Sequence, residues 1–373
     1  AMKKDREIVH AWDFICDRDT YGQWSPQWLP PSGWMSIFQT HCLIENMALP
    51  PPKGVTVRYR DDYESCMYLS ATDRSVHSIV WAQWSDLLIE NGWEKDTNLF
   101  AFAMDWRLGP PSYLGEDQTF LRFKTLIEKA VVSSGGPVSL VTMSLGGPFV
   151  ALFCADYVSE DWKAANIYNF VSVSGVYGGS SSPLNTLFSG KWGELIPSFL
   201  LSSSRDTART TQVLPWLIPA KSVFGAERVW IRTPYKNFTA ADLATPLREA
   251  GALAAADLWK SVTHLTGNRL APNVSTVCIF GTDSETVESL VWSGDGDMSR
   301  PPDSVTSATG DGTVLHESLK ACSDWQFVQE QPVTTFTVTG VKHTQFLTHR
   351  PSMELFLKIM LKDDPIKRVE RKK

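Results

Sequence analysis

The chain has 373 residues, 43% of them hydrophobic, so it can bury a sizeable core in one large domain with an insertion or in two domains. Its net charge is −6 and it has no basic stripe, which argues against nucleic acid as a partner. No run of about 18 apolar residues occurs, so no segment is predicted to span a bilayer. The opening AMKKDREIVH lacks the apolar stretch of a signal peptide, and we expect any targeting segment to have been removed or left out.

The predicted elements begin after an irregular segment, residues 1–75, that contains Pro and Trp clusters. Apolar residues at helical spacing predict helices over 77–93, 116–134 and 146–159. Short apolar runs predict buried strands over 98–106, 137–143 and 166–175. Because strands alternate with helices, this part of the chain predicts an α/β fold with a mainly parallel sheet flanked by helices.

The alternation stops at residues 176–270, where Gly/Ser-rich, Pro-rich and Ala-rich pieces follow in no regular order. We interpret this range as an inserted cap or lid. The sheet resumes with strands predicted over 275–281 and 334–340, and a helix over 352–362 closes the chain. The predicted organisation is an N-terminal subdomain, a first part of the core, the cap and a second part of the core, over 1–75, 76–175, 176–270 and 271–373.

A serine stands at the turn between the strand over 137–143 and the next helix, in the sequence PVSLVTMSLGG. A hydroxyl becomes a good nucleophile only with a base, an orienting acid and donors for the developing oxyanion. The usual nucleophile elbow reads G-x-S-x-G. Gly146 supplies the second glycine, whereas Thr142 replaces the first. On this turn alone, Ser144 is either a catalytic nucleophile or an ordinary turn serine.

Partners for Ser144 follow later in the chain, in the order Ser, Asp, His that α/β-hydrolases use. Asp311 lies between two glycines in TGDGTVLHES. The alternatives to a catalytic role for Asp311 are a plain Gly-Asp-Gly turn and a calcium loop, although the further acidic ligands of a calcium loop are missing. His343 follows the last predicted strand in TGVKHTQF. A lone loop histidine is often a bystander, but three candidates in this order, each after a predicted strand, favour a catalytic set.

Six cysteines and two Asn-x-Ser/Thr sequons, at Asn237 and Asn273, bear on the compartment. No two cysteines form a C-x-x-C pair, so structural zinc is not expected, and no motif predicts a metal or a cofactor. The even number of cysteines and the two sequons together favour the secretory pathway. We therefore expect a secreted or lumenal protein, in a lysosome-like or vacuole-like compartment, with both asparagines as glycosylation acceptors.

Several segments, in one order along the chain, resemble the lecithin:cholesterol acyltransferase family, which includes the lysosomal phospholipase/transacylase and the phospholipid:diacylglycerol acyltransferases. AFAMDWRLGP is similar to the family's Tyr-Asp-Trp-Arg segment, and SLVTMSLGG is similar to its elbow, with Met143 in place of a histidine. LPWLIP (214–219) and VWIRTPYKNFT (229–239) resemble segments of the family's cap. GDGTV (310–314) is nearly identical to its acid motif, and the resemblance spans nearly the whole chain.

This resemblance implies an α/β-hydrolase fold with an inserted cap and a membrane-binding N-terminal subdomain. It also implies a catalytic triad of Ser144, Asp311 and His343, since the interval of 343 − 311 = 32 residues agrees with the family's spacing. The backbone N–H of Leu145, directly after the nucleophile, is implied as one oxyanion donor.

The resemblance further implies two disulfide bonds and a membrane-binding loop. Cys278 would pair with Cys322 on either side of the loop that carries Asp311, the acid loop. Cys16 would pair with Cys42 to close a loop near the N-terminus. Apolar residues within that loop would seek a lipid interface, namely Trp24, Trp28, Trp34, Met35, Ile37 and Phe38. The alternative is that they pack inward, but a closed loop cannot bury so many Trp side chains within itself.

By resemblance, the expected activity is that of a serine-dependent phospholipase A or O-acyltransferase at a phospholipid membrane or lipid-particle surface. An acyl-Ser intermediate would pass its acyl group to water or to a lipid alcohol such as a sterol. The alternatives are a serine esterase acting on non-lipid substrates and an inactive lipid-binding homologue.

One departure from the family concerns the second oxyanion donor. The family's first oxyanion segment should precede the region that matches EIVHAWDFIC, and the chain starts almost at that point. We expect that this segment was cleaved off or truncated, or else that the oxyanion hole is built differently. A cleaved N-terminal fragment would contain a central sheet strand and could remain associated as a partner.

Overall fold

The computed structural model describes residues 2–4, 44, 46–51, 55–57, 62–68, 80–115, 118–192 and 198–363. The proposed membrane-binding residues and one predicted cysteine pair lie outside these ranges: Trp24, Trp28, Trp34, Met35, Ile37, Phe38, Cys16 and Cys42. Near the N-terminus, an antiparallel strand pair precedes two helices, in the order β1 (Met2–Lys4), β2 (Val55–Val57), α1 (Tyr63–Met67) and α2 (Ala82–Glu90).

Strands and helices then alternate as the sequence predicts. The elements are α3 (Pro110–Leu114), α4 (Thr119–Ser134), β3 (Val138–Met143), α5 (Gly146–Leu152), α6 (Glu160–Asn166) and β4 (Ile167–Val173). A π-helical turn, Phe153–Tyr157, continues α5. The buried side of α4 consists of residues three and four apart, which is the spacing that places them on one helix face, and Gly135 in a left-handed conformation ends the helix.

The range predicted as a cap contains short helices and two strands. They are α7 (Ser181–Ser189), α8 (Leu201–Ala208), α9 (Val213–Trp216), α10 (Lys221–Phe224), β5 (Val229–Arg232), β6 (Asn237–Thr239), α11 (Ala244–Glu249) and α12 (Leu253–Val262). The remaining elements are β7 (Thr276–Thr282), β8 (Ser284–Val291), β9 (Ser304–Gly310), α13 (His316–Lys320), β10 (Val333–Thr339) and α14 (Arg350–Asp363).

The main sheet is parallel, with strand order β10-β7-β4-β3. One face of this sheet packs against α4 and α5 in the larger apolar cluster. The other face packs against α2 and α14, through side chains such as Trp84 and Phe356. The four strands predicted over 137–143, 166–175, 275–281 and 334–340 are therefore confirmed, with helices on both faces.

A second sheet, with order β6-β5-β8-β9, joins the predicted cap to the chain that follows β7. Its strands β8 and β9 form a long antiparallel hairpin in a region for which the sequence predicts no strand. The outward residues of β9 are Ser, Thr and Val in a largely exposed strand, so no continuous apolar run marks it in the sequence. β5 lies parallel to β8, which connects the cap range with this hairpin.

The prediction of a strand over 98–106 is wrong for the described part of the chain, because this segment forms no ladder there and Leu99 forms only an isolated bridge with Lys95. Its side chains nevertheless alternate between the two faces of the main sheet. Phe102 and Met104 pack against the larger cluster, whereas Leu99 packs on the opposite side. An apolar alternating pattern therefore places side chains correctly, but a strand also needs a hydrogen-bonded neighbour.

The described cysteines have distinct environments. Cys278 and Cys322 form a disulfide bond. Cys154 is fully buried on the π-helical turn, and this burial raises the pKa of its thiol to about 12, so the thiol is unreactive in the folded protein. Within the described ranges, no helix combines the length and apolarity needed to cross a membrane.

Candidate active site

Ser144 lies in a two-residue turn between β3 and α5, with a positive φ of 54°. A left-handed conformation costs a non-glycine residue about 1–3 kcal/mol, so surrounding contacts must hold it. The Ser144 N–H donates to the Val173 carbonyl at the end of β4 (2.9 Å), and its own carbonyl accepts the Gly147 N–H (2.9 Å). The serine is therefore held at the carboxyl edge of the parallel sheet, with its side chain at the apex of the turn.

Close packing explains the two glycines after this serine. A Cβ on Gly147 would lie 2.9 Å from the Gly175 Cα and 2.9 Å from the Tyr177 Oη, which is too close for both. A Cβ on Gly146 would lie 3.1 Å from the Thr142 Cβ, a tight contact that the absence of a side chain at position 146 avoids. The departure at Thr142 is thus accommodated by the second glycine of the turn.

Asp311 reaches the same edge of the sheet through the β8–β9 hairpin. The hairpin leaves the end of β7 and returns, with Ser284 paired to Gly310 and bridged to Asp311. The Asp311 side chain is fully buried, and its Oδ1 accepts the backbone N–H groups of Thr313 (3.1 Å) and Val314 (2.9 Å). Burial of a carboxylate requires such donors, and they leave Oδ2 as the oxygen available to another partner.

His343 connects the acid to the serine. Its Nδ1 lies 2.6 Å from Asp311 Oδ2, and its Nε2 lies 2.8 Å from Ser144 Oγ. Because an ionised carboxylate only accepts, Nδ1–H donates to Asp311 and leaves Nε2 as the acceptor for the serine hydroxyl. The His343 backbone N–H also donates to the Asp311 carbonyl (2.7 Å), which holds the turn after β10 against the acid loop. This arrangement can transfer a proton from the hydroxyl to the imidazole.

Leu145 is the residue at which the chain enters α5, directly after Ser144. Within the described part of the chain, its backbone N–H has no hydrogen-bond acceptor. A free N–H at the start of a helix, next to a nucleophile, can stabilise a developing negative charge.

The other residues singled out in the sequence lie away from this cluster. Asn237 is exposed on β6, and Asn273 is half-buried, with its Nδ2 donating to Glu160 (3.0 Å). The DWR segment forms a structural contact, since Arg107 is buried, pairs with Asp105 at 2.6 Å and reaches the backbone carbonyls of Met47 and Ala48.

No sequence pattern identifies several buried hydroxyls that lie near the site. Tyr177 donates to Ser172 (2.5 Å) beneath the elbow. Ser180 and Thr286 contact the acid loop. Serine and threonine are common throughout the chain, and the partners of Ser180 and Thr286 lie 133 and 26 positions away, so only the folded chain identifies them. Among the described residues, no group of three or more side chains is placed to hold a metal ion.

The packing of the elbow can be tested through its glycines. We expect Gly147→Ala to lower the free energy of unfolding by about 1–3 kcal/mol, because the new methyl group must displace backbone at Gly175. Gly146→Ala is the matched control, since its methyl group meets only the Thr142 side chain, at 3.1 Å from Cβ, and it should cost less than Gly147→Ala. Urea unfolding measures both, and an unchanged midpoint for Gly147→Ala would contradict this account.

Known proteins resemble the chain over most of its length. The rat protein named phosphatidylcholine-sterol acyltransferase is 27% identical over 309 residues, which cover 83% of this chain and 66% of the rat protein. The bovine lysosomal phospholipase A and acyltransferase is 28% identical, with 83% and 74% covered, and its mouse counterpart is 28% identical, with 95% and 85% covered. The chain thus spans about two thirds or more of the length of these relatives.

Structural comparison and a family model agree with the architecture. A chain in the crystal structure of the Tle4–Tli4 complex superposes with a TM-score of 0.53 at 12% identity, covering 97% of this chain and 96% of that one, which supports a shared fold. The parallel sheet with helices on both faces and the strand-turn-helix around Ser144 constitute an α/β-hydrolase fold. A model described as lecithin:cholesterol acyltransferase matches residues 35–262 and 255–356, and the chain therefore belongs to the lecithin:cholesterol acyltransferase family.

Proposed function

We propose that this protein is a serine-dependent lipid acyl hydrolase and acyltransferase. The observation that carries the proposal is the continuous hydrogen-bond chain from Asp311 through His343 to Ser144, at a strained turn in a chain of this family. Relatives named as a phosphatidylcholine-sterol acyltransferase and as a lysosomal phospholipase A and acyltransferase support a phospholipid as the acyl donor.

The proposed reaction has two halves. Ser144 Oγ attacks the ester carbonyl of the phospholipid while His343 Nε2 takes the hydroxyl proton, and the Leu145 N–H binds the resulting oxyanion. The tetrahedral intermediate collapses, and the proton on His343 passes to the departing lysophospholipid oxygen. Water or a lipid alcohol such as a sterol then gives its proton to His343 and attacks the acyl-Ser144 ester. The bond between the acyl carbon and Ser144 Oγ breaks, and His343 returns the proton to Oγ. Asp311 keeps the imidazole in the required tautomer throughout.

A second oxyanion donor is proposed to come from an extended N-terminal segment that lies beside β3. Among the described residues, β3 pairs only with β4. The segment 98–106 places its side chains on both faces of the same sheet without forming a ladder. A strand between β3 and this segment would pair with both and would end near Leu145, where a second N–H is needed.

Two segments around the site are proposed to have the roles that the sequence predicts for them. The loop between Cys16 and Cys42 is proposed to bind a phospholipid surface, and the range 176–270 is proposed as a cap that covers the acyl chain. Exposed aromatic side chains within that cap range, such as Phe199 and Tyr235, support contact with an apolar phase.

Removal of the nucleophile tests the main proposal. Ser144→Ala should abolish the release of fatty acid and lysophospholipid from phosphatidylcholine vesicles, because no other hydroxyl contacts His343 Nε2 in the described structure. Ser139→Ala, on the strand that leads to Ser144, is the matched control and should keep full activity. Mass spectrometry of the products, with a sterol included in the vesicles, measures both hydrolysis and transfer. Undiminished release by Ser144→Ala would refute the assignment.

Two further arms of that experiment separate the alternative functions. A non-lipid esterase would hydrolyse a soluble short-chain ester and show no preference for vesicles. An inactive lipid-binding homologue would bind vesicles, leave a fluorophosphonate probe unreacted at Ser144 and release no product.

The partner segment has its own test. If a cleaved N-terminal fragment supplies the strand beside β3, protein purified without denaturant should contain a second polypeptide that elutes with this chain. Intact-mass measurement and N-terminal sequencing detect it. Separating the two under mild denaturant should lower activity, by about 10²–10³-fold if one oxyanion donor is lost. A single polypeptide with full activity would contradict this proposal.

Passage through the secretory pathway is tested by the sequons. Asn237 is exposed, so we expect it to carry a glycan, whereas the Asn273 side chain is held by Glu160. Asn237→Gln should therefore abolish most of the mobility shift that endoglycosidase treatment causes in protein from a eukaryotic host. Asn273→Gln is the comparison and should retain that shift. An untreated protein without any glycan would argue against a lumenal or secreted location.

A further inference from the structure

We propose that Ser180 and Thr286 are positioning residues that orient the carboxylate of Asp311 through the backbone of its loop. The inference rests on the proposed function, since it concerns the acid that orients His343. The chain's resemblance to its relatives does not carry the inference; it depends on hydrogen bonds in this structure.

The loop over 311–314 decides where the Asp311 carboxylate points. Two of its peptide N–H groups, those of Thr313 and Val314, donate to Oδ1. The loop is closed by the Asp311 N–H, which donates to the Val314 carbonyl (3.0 Å), and Gly312 adopts a positive φ of 89° that a side chain would disfavour. Any rotation of these peptides would turn the donors away from Oδ1, and Oδ2 would then move relative to His343.

Thr286 holds the first peptide of the loop. It lies on β8, is almost fully buried, and its Oγ1 accepts the Gly312 N–H at 2.8 Å while donating to the Ser284 carbonyl at 3.1 Å. The Gly312 N–H belongs to the peptide that joins Asp311 to Gly312. This hydroxyl therefore fixes the peptide plane directly after the catalytic acid.

Ser180 holds the third peptide of the loop. Its Oγ donates to the Thr313 carbonyl at 2.5 Å, and the residue is almost fully buried at the start of α7. That carbonyl belongs to the same peptide as the Val314 N–H, which is one of the two donors to Asp311 Oδ1. Ser180 itself lies in the cap range, where its backbone N–H donates to the Leu217 carbonyl (2.7 Å), so its hydroxyl links the cap range to the acid loop.

These contacts predict a specific kinetic defect. Loss of either hydroxyl leaves a buried backbone group without its partner and lets the loop peptide rotate. His343 would then be misoriented, and small misplacements of catalytic groups cost up to about 10²-fold in rate. Substrate contacts are unaffected, so the turnover rate should fall while KM stays unchanged.

The test compares Ser180→Ala and Thr286→Val with two matched controls. Ser204→Ala removes another buried hydroxyl, which donates to the Gly190 carbonyl (2.8 Å) and not to the acid loop, and should keep the wild-type kcat. Thr286→Ser retains the hydroxyl and should restore kcat to within about twofold. For Ser180→Ala and Thr286→Val, we expect kcat on a soluble ester and the rate of fluorophosphonate labelling at Ser144 to fall about tenfold.

A double-mutant cycle removes the effect of general destabilisation. In an Asp311→Asn background, Ser180→Ala and Thr286→Val should cause no further loss of labelling rate, because the carboxylate they orient is gone. Additive losses in this background would overturn the inference. Wild-type labelling rates in both single variants would also overturn the inference. In that case, labelling of the wild-type protein would still support Ser144 as the nucleophile. If the wild-type protein were not labelled, the proposed function and this inference would fail together.

Discussion

The backbone of Ser144 is the constraint on which the site depends. A parallel strand passes directly into a helix within two residues, and the serine takes a left-handed conformation to make this turn. That turn exposes the hydroxyl and starts α5 with the Leu145 N–H, which has no acceptor among the residues that the structure describes. It also brings α5 against the end of β4, which is why Gly147 and Gly175 carry no side chains at their closest approach. The strain at the serine is thus held by packing on both sides.

The parallel sheet determines where the other two groups can lie. The carboxyl ends of β3, β7 and β10 meet at one edge, so turns that leave these strands are near each other in space. The β8–β9 hairpin extends from β7 and returns Asp311 to this edge, and the turn after β10 places His343 between the acid and the serine. Burial then makes hydrogen bonding obligatory, because an unpaired carboxylate would be strongly destabilised there.

The parts of the fold that the sequence predicted correctly are those with a strong local pattern. The strands at 137–143 and 166–175 are apolar runs in a buried sheet, and α4 has its apolar residues on one face. The prediction over 98–106 failed because the same kind of run does not reveal whether a neighbouring strand is present. The β8–β9 hairpin was missed because much of it is exposed and rich in Ser and Thr, so it lacks an apolar run.

The sequence by itself determined the alternation of strands and helices, the order of Ser144, Asp311 and His343, and the turn glycines. Each of these features is recognised from a short stretch of residues adjacent in the chain. Only the tertiary structure decided that these three side chains form one hydrogen-bonded chain, because Ser144 and His343 are 199 positions apart. It also decided that Ser180 contacts the acid loop at Thr313, which is 133 positions away in the sequence. Contacts of this kind depend on how strands pair and loops pack, and no local pattern of residues records that.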